Sequence, residues 1–186
     1  MAEDMKTEPS YNLWREPWIG IEGLDGSVAK ISLQEVLLHA NQFKGIYDPS
    51  PLVIVGIHRL LVAVLQDALN IQKQADLEDI WEAGYFSSDA ITDFGNRFEE
   101  RFNLFSPKVP FLQSADLPLE ESREDKPVGY LMPEMPMGTA ITHYNHGFDE
   151  ERTLCAACAG KGLVCIPPFS TSGGAGIKPS INGVPP

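Results

Sequence analysis

The 186 residues suffice for one domain, or one domain and part of another, and a 43% share of hydrophobic residues supplies a sizeable core. Charged residues at 22% exclude global disorder, and a net charge of −12 excludes a generic polyanion binder, which is normally basic. Any contact with nucleic acid must therefore be local, or borrowed from basic partner subunits.

The acidic start "MAEDMKTEP" lacks the positive charge and apolar run of a signal peptide, and residues 1–10 read as a disordered tail. "YNLWREPWIGIEGLDGSVAKISL" reads as a strand followed by a hairpin, with apolar positions alternating through Trp18 and the Asp25, Gly26 pair as the tight turn. "SLQEVLLHANQF" opens with Ser32 and Glu35, the S-x-x-E capping box, and its Leu/Val spacing is helical throughout. Residues 48–51 punctuate the chain, and Pro51 falls in the first turn of a long apolar helix over 51–70. His58 and Arg59 interrupt that stretch at its centre, which favours a buried helix over a membrane span. Amphipathic helices are predicted over 77–86 and 88–101, with Asp76 and Ser88 as candidate caps.

From "FNLFSPKVPFLQ" onward the texture changes. Prolines at 107, 110, 118, 127, 133 and 136 forbid long helices, and "LPLEESREDKP" reads as a solvated acidic loop. The aromatic and proline string itself reads as a buried extended segment. Regular structure is expected to return at "RTLCAACAGKGLVC", a short helix stopped by Pro167 and Pro168. The fold class is thus α+β: a small antiparallel sheet, a helical layer and a loop-rich second half.

Three cysteines, two of them as CxxC, fit a reducing compartment and place the protein in the cytoplasm. Cys155 and Cys158 can occupy adjacent corners of a tetrahedral zinc site, but the same spacing puts two small thiols on one helix face toward a core. Spacing alone leaves both open. Cys165, seven residues further on, reads as a core residue; a thioredoxin-like redox role is disfavoured because no strand leads into the motif. His39 and His58 lie in apolar helical patterns and read as structural. His143 and His146 belong to "THYNHGFDEE", a polar loop in which Tyr144 and Phe148 can stack on a base or fill a partner's pocket. An ordinary surface loop accounts for it equally well, and the acidic residues 149–151 weaken the RNA version.

No Walker ending, nucleophile elbow, H-E-x-x-H or dinucleotide fingerprint occurs, and carboxylates such as Glu99 and Glu100 read as solvated surface. The sequence does not read as an enzyme. "STSGGAGIKPSINGVPP" is a bare glycine segment that a phosphate cradle, a linker or a close backbone approach would each write.

Four segments in order, "YNLWREPWIGI", "FNLFSPKVPFLQ", the CxxC and "FSTSGGAGIKPSINGVPP", resemble the CasA family, the large subunit of the type I-E CRISPR Cascade complex. The resemblance runs over nearly the whole chain from about Tyr11. It implies an antiviral ribonucleoprotein that carries a CRISPR RNA and surveys double-stranded DNA. Its large subunit recognises the target-flanking motif (PAM), helps open the duplex and recruits the helicase-nuclease. Family members are longer, so residues 11–186 are expected to be an amino-terminal domain ending before a carboxyl-terminal helical bundle. By the same resemblance Gly173, Gly174, Ala175 and Gly176 correspond to the loop that enters the DNA minor groove, with Lys178 on a phosphate. His143, Tyr144 and Asn145 correspond to a loop reaching toward the CRISPR RNA and the other Cascade subunits. Cys155 and Cys158 would be half of a zinc site whose other cysteines lie later in family chains. The alternative is a zinc-stabilised structural or interaction module of an unrelated assembly.

Overall fold

The computed structural model describes residues 9–116, 128–132 and 153–169. The tail over 1–8 therefore lies outside the described residues, whereas Pro9 and Ser10 are exposed.

The predicted hairpin forms as β1 (Ile19–Gly23) and β2 (Val28–Ile31), antiparallel with Ile19 opposite Ile31 and Glu22 opposite Val28. Gly26 takes φ +81° in the turn, which a side chain would resist, and Asp25 Oδ1 accepts the Ser27 N–H at 2.9 Å. The capping box also forms: Ser32 Oγ accepts the Glu35 N–H at 3.2 Å, and Glu35 Oε2 accepts the Ser32 N–H at 2.9 Å. The helix it starts, α1, covers only Leu33–Leu38. After one tight turn at Ala40–Gln42, Phe43–Ile46 becomes β3 and pairs antiparallel with β1, so the sheet order is β2-β1-β3. The helical spacing of "HANQF" is overridden by pairing with β1, which brings the half-buried Phe43 and Ile46 against the core.

α2 (Pro51–Ala68) starts as expected, with Ser50 Oγ accepting the Val53 N–H at 3.2 Å and Pro51 in its first turn. It buries one face only: Val53, Gly56, Ile57 and Val64 point inward, while Val55, His58, Arg59 and Val62 are exposed. By length and composition α2 could cross a membrane, but its inward face is spent on the core.

α3 spans Gln74–Ala83 and ends at Gly84 with φ +72°. Asp76 caps it from inside the first turn, accepting the N–H groups of Gln72 and Lys73 at 2.9 and 3.0 Å. α4 is Ser88–Phe98, and its cap is Ser87, not Ser88, through Ser87 Oγ and the Ala90 N–H at 3.3 Å. The last predicted turn tightens into a 3₁₀ segment, Glu99–Phe102, which turns Phe102 into the core. α5 spans Ala156–Phe169 and runs through Pro167 and Pro168 instead of stopping at them. Their fixed φ suits a helix, and the two rings forfeit only the bonds to Leu163 and Val164 near its end.

Core and site meet where the two aromatic motifs cross. Leu13 donates to the Phe102 carbonyl at 2.9 Å, and Leu104 donates to the Tyr11 carbonyl at 3.0 Å. Around this crossing Trp14 sits 5.5 Å from both Phe94 and Phe102, and Phe102 stacks on Phe111 at 5.5 Å. The buried indole of Trp18 donates to the Leu13 carbonyl at 2.8 Å, so neither Trp14 nor Trp18 is exposed beyond 1%. "FNLFSPKVPFLQ" is expected to be a buried extended segment; it is instead a run of turns and bends after the 3₁₀ segment, with Phe102, Leu104 and Phe111 buried and Phe105, Val109 and Leu112 exposed.

Candidate functional site

Helix α5 carries the described part of the site, and three small residues let it seat deeply. A side-chain carbon at Gly56 on α2 would lie 2.8 Å from the Val164 carbonyl oxygen, so the two helices touch backbone to side-chain depth. One at Gly160 would lie 2.8 Å from Leu13 Cδ2, and one at Gly162 would strike the Leu131 carbonyl. Lys161 Nζ then pairs with Asp48 Oδ2 at 2.5 Å, and their side chains are only 17% and 7% exposed. Cys165, at 1% exposure, lies in the core as expected, although Cys158, seven residues earlier on the same helical face, is exposed. These contacts hold the helix over residues 160–165, whereas Ile166 and Phe169 beyond them are exposed. In the sequence its carboxyl end at Phe169 leads directly into the glycine segment.

The amino end presents the thiols. Cys155 and Cys158 are both exposed, so the core reading of this pair is set aside. Cys155 occupies the capping position: its carbonyl accepts the Ala159 N–H at 2.9 Å and its sulfur accepts the Cys158 N–H at 3.4 Å. That backbone donor, foremost, holds the Cys155 thiol below its ordinary range, helped by the Cys158 thiol, the Ala157 N–H and the charge of Lys30. The same contact pushes Cys158 up, since its thiol is the donor, and burial and the neighbouring negative sulfur add to this. Cys155 is therefore the thiolate-poised member, at a helix amino terminus where the peptide dipoles favour an anion. Among the described residues no group of three or more His, Cys, Asp or Glu converges on a metal position. The pair supplies two soft donors and no more.

His39 and His58, read as structural, are both exposed, and the His58 Nδ1–H donates to the Ile54 carbonyl at 2.8 Å. Gly173, Gly174, Ala175, Gly176 and Lys178 lie outside the described residues, as do His143, Tyr144 and Asn145. What sequence reasoning missed is the capping role of Cys155 and its neighbour Lys30 on β2. A cysteine directly before "AAC" in a helix start was the available signal for the first; nothing local signals the second.

The family model for "CRISPR-associated protein Cse1" matches residues 12–184. A curated protein of Thermus thermophilus, "CRISPR-associated protein CasA/Cse1", is 43% identical over 142 residues, covering 75% of this chain and 27% of its own. The crystal structure of Thermobifida fusca Cse1 superposes with a TM-score of 0.75 at 29% identity, over 89% of this chain and 31% of that one. A chain of a CRISPR RNA-guided surveillance complex shares the fold at a TM-score of 0.72 and 20% identity, over 86% and 34%. The chain thus spans about a third or less of the length of these relatives.

Proposed function

The chain belongs to the CasA/Cse1 family, and from that premise we propose that it is a subunit of a CRISPR RNA-guided DNA-surveillance complex and reads the motif flanking the target. The observation that carries the proposal is the anchoring of α5. A helix seated on α2 and pinned by the Lys161–Asp48 pair ends at Phe169, four residues before Gly173. A recognition loop needs such a base, because backbone groups can read base edges only if their register is held.

The chemistry of the glycine segment suits the minor groove, which is about 6 Å wide and admits no bulky side chain between backbone and base edge. Main-chain groups read its degenerate pattern, so several related motifs are tolerated. Ala175 adds one methyl to this run and narrows the set of base pairs that fit. Lys178 supplies a phosphate contact that fixes register without reading sequence. The segment of His143, Tyr144 and Asn145 serves the CRISPR RNA and the neighbouring Cascade subunits. The acidic chain, at −12, depends on those subunits for most of its hold on DNA. Recruitment of the helicase-nuclease and assistance in duplex opening belong to the assembled complex, in the cytoplasm, with no chemical step assigned to this chain.

Cys155 and Cys158, both exposed at the amino end of α5, fit zinc as two of four tetrahedral ligands. Bound there, zinc would staple the amino end of α5 to whatever segment supplies the other two donors. Its role would be structural.

The test is a reconstitution. The remaining Cascade subunits and CRISPR RNA, with and without this chain, are assayed by gel shift on duplexes with and without the flanking motif. Motif-dependent binding only when the chain is present is expected; equal binding in its absence contradicts the proposal.

A further inference from the structure

Helix α3 is an oddity of the fold. None of its ten residues, Gln74–Ala83, is buried. A helix of that length is marginal in water without tertiary packing. Its apolar positions are nonetheless aligned: Leu77, Ile80 and Trp81 fall at the i, i+3, i+4 spacing of one face. Trp81 is 87% exposed, Tyr85 is 62% exposed and Leu77 is 52% exposed. Single exposed apolar residues are ordinary, but these are continuous. A groove of about 560 Å³ runs between them and the tight turn at Ala40–Gln42, lined by Ala40, Asn41, Leu77, Trp81 and Tyr85. A second, of about 360 Å³, continues to Val62 and Leu65 on α2 through Ile80 and Phe86.

Charge decides what fits. Between Gln74 and Asn96 stand Asp76, Glu78, Asp79, Glu82, Asp89 and Asp93, with no Lys, Arg or His. Those six carboxylates equal half of the net −12. Glu78 and Glu82 flank Trp81 one helical turn apart, and neither they nor Asp79 has a cationic partner among the described residues. This pole repels nucleic acid and anionic lipid, and two copies of it repel each other.

We propose that the face of α3 carrying Leu77 and Trp81, with Tyr85 beside it, is the docking surface for a basic protein surface, namely a neighbouring subunit of the complex. The indole enters an apolar slot, with partner arginine or lysine side chains stacked on its face and paired to Glu78 and Glu82. Guanidinium groups suit both tasks at once. This deepens the functional reading and rests on it for the partner. An assembly that holds a guide RNA must be built from subunits with cationic surfaces, because phosphate neutralisation supplies most of RNA affinity. An acidic, aromatic patch is the complement such surfaces select.

Trp14 and Trp18 are at most 1% exposed, so quenching of tryptophan fluorescence by acrylamide reports Trp81. The chain is measured alone, with CRISPR RNA alone, and in the complex reconstituted with the other subunits. Protection from quenching is expected only in the complex. Trp81→Ala, whose side chain is held by no core contact, should leave the unfolding midpoint unchanged and weaken incorporation by about tenfold or more. Glu78→Lys with Glu82→Lys should weaken it as well and flatten its salt dependence. If the chain joins the complex and Trp81 stays as quenchable as before, or if Trp81→Ala joins with unchanged affinity, the docking surface is wrong and the functional reading stands. Protection by RNA alone, or by raising the concentration of the chain alone, overturns the stated partner. Failure of the wild-type chain to join the complex overturns both.

Discussion

Replacing Gly56 with alanine tests the α2–α5 seat from which the proposed recognition segment is held. The added methyl would lie 2.8 Å from the Val164 oxygen, 3.1 Å from its carbonyl carbon and 3.3 Å from its Cγ2, where ordinary contact begins at 3.4 Å. The helices must part by about 0.6 Å (3.4 − 2.8), and the atom in the way is backbone, which cannot swing aside. Overpacking of this kind costs roughly 1–3 kcal/mol. Alanine returns about 1 kcal/mol of helix propensity over glycine. The net is a loss of up to about 2 kcal/mol, at roughly 2–4 °C in Tm per kcal/mol for a domain of this size. Thermal and urea unfolding followed by circular dichroism would measure it, beside Gly45→Ala, whose added carbon meets nothing within 4 Å. Equal or greater stability in the Gly56 variant would show that propensity wins and that α5 is not closely seated.

Asp48→Asn strands the Lys161 ammonium at 17% exposure and should cost about 3 kcal/mol by urea unfolding; a loss below about 1 kcal/mol would make the pair incidental. Ser32→Ala removes one side of the capping box and should cost about 1 kcal/mol. Glu35 is held below its ordinary value of 4.5 by the Ser32 N–H first and the Ser32 hydroxyl second. Its contribution is therefore full above pH 4.5 and drains as the pH falls through the depressed folded value, so the Ser32 variant should lose less stability on acidification than the wild type. Iodoacetamide should label Cys155 before Cys158 and leave Cys165 protected until unfolding, read by mass spectrometry; early labelling of Cys165 contradicts its burial. By elemental analysis, zinc carried by the chain within its complex should survive Cys165→Ser and fall on Cys155→Ser; the reverse order would sink the assignment.

The legible parts of the fold are those written by local chemistry. Asp25 and Gly26 specify their turn, Ser32 and Glu35 their box, and Ser50 with Pro51 the start of α2, because each needs only residues a few positions apart. β3 was not legible. Phe43 reads as the end of the helical stretch before it and residues 44–46 read as no element, and only pairing to β1, 20 or more residues away, makes them a strand. The prolines of α5 misled for the opposite reason: proline discourages helix locally, while Gly56, Leu13 and Asp48 hold this one from outside. In the site, Cys165 is in the core as expected, but spacing does not account for it, because Cys158 on the same helical face is exposed. The asymmetry between Cys155 and Cys158 was not legible either, since it arises where the helix begins, one residue beyond what spacing resolves.

The central claim is that residues 173–176 read the flanking motif from the end of a fixed helix. The most direct measurement is motif discrimination by the reconstituted complex carrying Gly174→Val, set against Lys178→Ala, with guide pairing checked on a pre-opened target. The valine variant should bind motif-bearing and motif-free duplexes alike while the pre-opened target binds normally. Lys178→Ala should weaken every duplex about equally. Discrimination unchanged in the Gly174 variant would remove this segment from the recognition mechanism.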